Sequence, residues 1–248
     1  VSIEHVFLPW EDVALETLVA ADDYALQRKR ALVITIEPWT WTRDERNTPQ
    51  FLQRGIAEGY YDANMRSVCQ VIGTLKSPVT VRWGHEMEVK DNQFIWSNWQ
   101  PDVYISAYRR MIEICRAAAP QINVMWSPLG EEGLEKYYPG DDVVDLVGVS
   151  IFDLQPWEIK VLGKERTYEE RIREAYGRVV GFGKPVVVAE LGYSGSADYV
   201  ESFENAVRVP LEGLENLVGV IYFDQKEPYP WPDDFGFPDW TIPNRVIQ

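Results

Sequence analysis

The feature that most constrains this chain is a repeated alternation of short Val- and Ile-rich runs with longer segments of helical period. The apolar runs fall at 5–8, 31–36, 79–83, 122–126, 145–151, 185–189 and 218–223, and each reads as a strand. Helical patterns occupy 13–28, 63–76, 102–118, 167–180 and 199–208. In the second of these, Met65, Val68, Cys69, Ile72 and Leu75 recur at the spacing of one buried face. Thr167 and Glu170 form a capping-box start, and Gly181 and Gly183 stop that helix before the next strand. Strands apolar at consecutive positions are covered on both faces, as in a parallel sheet wrapped by helices. With no linker anywhere, the expectation is one α/β domain over 1–248, either a barrel or a doubly wound sheet.

The barrel is favoured. No Gly-rich phosphate loop follows any strand, whereas doubly wound folds commonly place one there. Long polar and aromatic loops follow the strands, and the returns from helix to strand are short. All ten tryptophans lie at or beyond strand carboxyl ends, and none in a predicted helix. Trp10, Trp39, Trp41, Trp83, Trp96, Trp99, Trp126, Trp157 and Trp231 follow this rule closely, with Trp240 in the tail. In a barrel those ends share one face, which carries the active site. Such a face suits pyranose rings, which offer C–H surfaces to indole and hydroxyls to Asp, Glu, Asn and Gln. The competing expectation is that individual indoles simply fill the barrel mouth.

Composition narrows the ligand. The 248 residues carry 24 Lys+Arg against 39 Asp+Glu, a net charge of −15. That balance disfavours nucleic acid and anionic membranes, and no apolar stretch approaches the roughly 20 residues of a membrane span. A neutral substrate fits better. The two cysteines, Cys69 and Cys115, make no disulfide framework and are expected to be two buried thiols. No metal-ligand spacing or cofactor motif occurs, so neither metal nor cofactor is expected. The first residue is Val with no leader after it, so a start that is processed or incomplete is expected.

Two strand ends carry the chemistry. Val79-Thr-Val-Arg-Trp-Gly-His-Glu86 runs a strand through Arg82 and delivers His85 and Glu86 to its end. Lys184-Pro-Val-Val-Val-Ala-Glu190-Leu-Gly192 is another apolar strand ending in a carboxylate. An ionisable group at the end of a buried strand is costly unless paired, and such groups often mark sites. Two glutamates on different strand ends are the minimum for cleaving a glycosidic bond. One protonates the leaving oxygen, and the other attacks the anomeric carbon or activates water. Arg82 aimed at Glu190 would hold it ionised as the nucleophile, with Glu86 as the proton donor and His85 in support. The bland alternative makes Arg82–Glu86 a structural ion pair and Glu190 a turn cap.

At these residues the chain resembles glycoside hydrolase family 26, the family of β-mannanases, mixed-linkage β-glucanases and β-1,3-xylanases. Ile34-Thr-Ile-Glu-Pro-Trp39, Arg82-x-x-His85-Glu86-Met87, Trp126-Ser-Pro128 and Tyr138-Pro-Gly-Asp-Asp142 follow the family's order. Val144-Asp145, Val147-Gly148, the Lys184–Glu190 strand and Asp239-Trp240 continue it. The resemblance spans nearly the whole chain. It implies a (β/α)₈ TIM barrel and a retaining, endo-acting β-glycanase, with Glu86 as acid/base and Glu190 as nucleophile. Retention needs those carboxyl groups about 5–5.5 Å apart. Arg82 and His85 would position glutamate and sugar, and Trp39, Trp96, Trp99, Trp126, Tyr222 and Trp240 are candidate sugar platforms.

Three departures bear on the substrate. Met87 is followed by Glu88 and Val89 where the family reads Asn-Gly, Phe152 replaces a Tyr near the nucleophile, and Tyr222 replaces a Trp platform. Loss of the Tyr hydroxyl raises the proton affinity expected of Glu190 unless Tyr193 or another donor replaces it. If the Glu86 strand is the fourth of the barrel, the first strand is absent from residues 1–248. An N-terminal segment or a partner is then expected to complete the barrel. A β-glucan or β-mannan, or a bacterial exopolysaccharide, is the expected polymer, acted on outside the cell or in the periplasm. The alternative is a non-catalytic carbohydrate-binding barrel.

Overall fold

A computed structural model describes residues 2–11, 13–40, 47–90 and 93–247; Trp41 lies outside them. The chain forms two compact units, Val1–Val147 and Gly148–Gln248. Among the described residues there are seven strands, each at a run expected from the sequence.

The first unit holds β1 (Ile3–Pro9), α1 (Glu16–Gln27), β2 (Ala31–Glu37), α2 (Pro49–Ala57), α3 (Asp62–Ile72), β3 (Val79–Trp83), α4 (Pro101–Ala118) and β4 (Asn123–Trp126). It ends in the first residues of β5 (Leu146–Leu154). All pairings are parallel and follow chain order. Val6 lies beside Ile34, Ile34 beside Val81, Val81 beside Val124, and Met125 beside Leu146. In the second unit β5 leads into the single turn α5 (Gln155–Trp157), a wider turn at Glu158–Leu162, α6 (Tyr168–Val179), β6 (Val186–Ser194), α7 (Ala197–Val207) and β7 (Leu217–Tyr222). There β6 sits between β5 and β7, and its pairing with β7 is parallel.

Burial follows position in the ladder. All nine residues of β6 are buried, whereas β1 buries only Leu8 and β7 only Ile221. Each of these two strands pairs with a single neighbour among the described strands, which leaves its other edge without a ladder. The helices form where the period demands. Thr167 and Glu170 close a reciprocal capping box at α6, and α3 buries Met65, Val68, Cys69 and Ile72 as one face. Helix α2 was not expected. Its signal is Thr48-Pro49, in which Thr48 Oγ1 accepts the Phe51 N–H and proline takes the first turn, with Leu52 and Ile56 buried four residues apart. No helix among the described residues is long and apolar enough to cross a membrane.

The two cysteines correct another expectation. Cys69 on α3 and Cys115 on α4 are bonded as a disulfide rather than left as thiols, with Cα atoms 4.9 Å apart. Their helices approach so closely that a side chain at Gly73 would meet the Ala118 carbonyl at 2.5 Å. Sequence periodicity put both residues on buried faces, but only the juxtaposition of those faces makes a bond possible. Asp62 and Arg110 add a bidentate pair across the same helices, at 2.7 Å on both arms. Elsewhere, Asp22 on α1 accepts the N–H groups of Lys76 and Ser77, each at 2.9 Å, and anchors the approach to β3.

Two outcomes follow from this unit. The bond closes a 46-residue separation, so the Cys69→Ala/Cys115→Ala double variant should lose about 2–4 kcal/mol in urea unfolding. Burial alone would raise the Asp22 carboxyl, but hydrogen bonds from Ser77 and Lys76 outweigh it and hold the group below its ordinary value. A lowered folded pKa gives stability that is present above the unfolded value, about 3.9, and lost as pH falls through the folded one. The Tm gap between the parent and Asp22→Ala should therefore be widest near neutrality and shrink on acidification below about pH 4.

Candidate active site

In the first unit the end of β3 makes an abrupt turn. Gly84 and Glu86 both adopt left-handed backbone, at φ +52° and +55°. For a glutamate this is an uncommon conformation that persists only when the surroundings enforce it. Here the Glu86 N–H donates to the Ser127 carbonyl at 2.8 Å, and the Asn98 N–H donates to the Met87 carbonyl at 2.8 Å. The Glu86 side chain is half-buried. Within β3, Arg82 is fully buried and donates from Nη1 to Thr35 Oγ1 at 3.4 Å, while His5 Nε2 lies 2.7 Å from the same hydroxyl.

His85 packs among rings, with its centroid 4.9 Å from Phe94, 5.7 Å from Trp96 and 6.3 Å from Phe7. Burial first, then the charges of Arg82 and His5, hold its pKa well below the ordinary histidine value. His85 is thus neutral at neutral pH, with one donor and one acceptor nitrogen. Its Nδ1 is buried without a hydrogen-bond partner. Glu88 is buried as well. Its Oε1 accepts the N–H groups of Gly130 and Glu131 at 2.9 and 3.2 Å, and burial raises the carboxyl above its ordinary value.

In the second unit Glu190 is buried within β6. Two residues on, Gly192 is the only residue type the packing admits. An added Cβ would lie 2.6 Å from the Phe152 ring and 3.0 Å from Trp240. The Phe152 and Trp240 rings are 5.4 Å apart. Tyr222 stands beside Leu191 in the ladder and donates its hydroxyl to the Trp240 carbonyl at 2.5 Å. Tyr193 is buried, and its hydroxyl accepts from Arg245 Nη1 at 3.1 Å. Glu227, in the loop after β7, went unnoticed in the sequence. Burial raises its carboxyl above the ordinary value, and the charge of Glu190 adds to the effect. Trp240 Nε1 donates to Glu227 at 3.1 Å. A single Glu in a Lys-Glu-Pro loop carries no pattern by which the sequence could have singled it out.

No family model matches the chain. A β-1,3-xylanase of Alcaligenes sp. is 29% identical over 106 residues, a match covering 40% of this chain and 22% of the relative. The solved structure of GH26C from Muricauda sp. superposes with a TM-score of 0.69 at 14% identity, over 89% of this chain and 70% of that one. A GH26 β-mannanase from Bacteroides ovatus gives 0.62 at 18% identity, over 89% and 70% respectively. The chain has the fold of these solved GH26 structures.

Within this fold the tryptophans named as candidate platforms are packed. Trp96, Trp99, Trp126 and Trp240 are buried, so packing occupies the ring surface a sugar platform would need. Trp96 Nε1 donates to the His85 carbonyl at 2.7 Å and Trp99 Nε1 to the Ile95 carbonyl at 2.8 Å. Trp126 meets the Tyr138 ring edge-on at 5.2 Å. Trp39 is only 8% exposed and packs edge-on against Trp96, with centroids 4.8 Å apart. An indole that fills the space under a strand end stabilises more by burial than it could by waiting for a ligand. Trp157 lies in the turn α5, against the expectation that no tryptophan is helical, because Pro156 starts a turn directly after β5.

The tight packing at Gly192 is testable. Gly192→Ala should cost about 1–3 kcal/mol in urea unfolding, and Phe152→Ala in the same chain should recover part of that loss.

Proposed function

We propose that the chain is an endo-acting, retaining β-glycanase, with residues 1–248 serving as one catalytic domain. The observation that carries the reading is Glu86. It is a carboxylate presented at a strand end by a strained backbone that Ser127 holds in place, on a family 26 fold. Glu190, on β6, is the second carboxylate this chemistry needs. Glu190 attacks the anomeric carbon while Glu86 gives its proton to the departing glycosidic oxygen, leaving a glycosyl-enzyme. Glu86, now a carboxylate, takes a proton from water as that water attacks the same carbon, and Glu190 is released ionised. Arg82 and neutral His85 position the acid and a sugar hydroxyl. Trp39 and Tyr222 keep a contact role beside the sugar, and Phe152 sets the packing beneath Gly192.

The polymer is a neutral β-glycan. The relative's name adds β-1,3-xylan to the β-mannan and β-glucan candidates. The disulfide fits an oxidising compartment, so the action is extracellular or periplasmic.

Reducing-end release from β-1,3-xylan, β-1,4-mannan, mixed-linkage β-glucan and exopolysaccharides tests the proposal. Glu86→Gln and Glu190→Gln should each cut turnover on the best polymer by on the order of 10²–10⁴-fold, and NMR should find the first-formed product with the substrate's anomeric configuration. Full turnover by Glu190→Gln would overturn the role assignment. Polymer binding by the parent without any release would identify a carbohydrate-binding protein instead.

A further inference from the structure

In the second unit, two indoles outside the core form a corner. Trp157, in the turn after β5, and Trp231, in the loop after β7, meet with ring centroids 5.8 Å apart and planes at 89°. Both are half-buried, unlike the fully buried Trp240 on which Trp231 leans at 5.4 Å. Both are also fixed in place. Trp157 Nε1 donates to Asp233 Oδ2 at 3.1 Å, and Lys160 Nζ donates to the Asp233 carbonyl at 3.2 Å. Asp233 and Asp234 both adopt left-handed backbone, at φ +58° and +63°, in a tip closed by the Trp231 N–H on the Gly236 carbonyl at 2.6 Å. Left-handed backbone at two aspartates in succession is strained, and such strain concentrates where a loop must hold one shape.

We propose that this corner is a pyranose-binding subsite for a neutral β-glycan, walled by Trp157 and Trp231, with the Glu227 carboxylate as acceptor for a sugar hydroxyl. A pyranose has a flat C–H face and an equatorial rim of hydroxyls. Two rings at right angles meet the face and one edge of it together. The indole N–H of Trp157 is engaged by a carboxylate, so what that side chain offers a ligand is ring surface. Because the tip is ordered by its own contacts, a sugar meets a corner already formed and little side-chain freedom is lost on binding. The acidic groups Glu227, Asp233 and Asp234 select a neutral sugar over a uronate, and the nearby ammonium of Lys160 sits over the Phe235 ring at 4.9 Å. Continuity with the cleavage point rests on the reading of Glu190 as nucleophile, since Glu227 lies within electrostatic reach of it.

Trp157→Ala and Trp231→Ala test the subsite, with exposed Val209→Ala as control. Retardation in native gels containing β-1,3-xylan, β-1,4-mannan or mixed-linkage β-glucan measures binding. KM and kcat are then taken on the polymer hydrolysed fastest. Each tryptophan variant should weaken retardation and raise KM about tenfold, a larger change than in kcat, as expected for one aromatic contact. Val209→Ala should match the parent. Where an alanine variant loses the parent's circular dichroism, Trp157→Phe and Trp231→Phe replace it, with about a threefold effect expected on the same scale. Folded variants with parental retardation and KM would overturn the subsite. The catalytic reading fails separately: a fully active Glu190→Gln sinks it, while gel retardation of the tryptophan variants still decides the corner.

Discussion

A parallel ladder whose strands are apolar on both faces leaves ionisable side chains few places to go. The interior of β6 is buried throughout, and Val186 to Ala189 are apolar before Glu190 interrupts the run. Burying an unpaired charge there would cost several kcal/mol, so an ionisable side chain inside the ladder needs support from its neighbours. Arg82 shows such support. It is the buried penultimate residue of β3 and is anchored on Thr35, which His5 also approaches, so the polar groups of three adjacent strands support one another.

Glu86 marks how a strand end becomes a site. The backbone leaves β3 through two left-handed residues, and Ser127, directly after the neighbouring strand β4, holds the second of them. The strain is local and the restraint comes from a different element, so the glutamate's direction is set by the sheet rather than by its own loop. Around it the environment removes charge. Burial among Phe94, Trp96 and Phe7 keeps His85 neutral, and burial raises Glu88 as well.

Much of this was legible in the sequence because strands buried on both faces write themselves as unbroken apolar runs. All seven were found where expected, although β6 runs on through Glu190 to Ser194 instead of ending at the carboxylate, and Thr167 with Glu170 announced α6. Helix α2 escaped because its apolar residues, Leu52 and Ile56, are too few to show a period, and its start at Thr48-Pro49 was the only strong mark. The disulfide escaped because periodicity assigns a face to each cysteine but not which faces meet. For the tryptophans the sequence left two depths open, sugar platform or filling beneath the strand end. Position at a strand end does not say whether an indole fills the space beneath or stands above it, and Trp96, Trp126 and Trp240 fill it. Glu227 carries no local signature, since its significance comes wholly from Trp240 folding back onto it.

Neither Cys69 nor Cys115 has any surface open to solvent. A small reductant reaches their sulfurs when α3 and α4 part. The speed at which thiols appear in a reducing buffer is therefore a clock for the separation of this helix pair, readable without any denaturant.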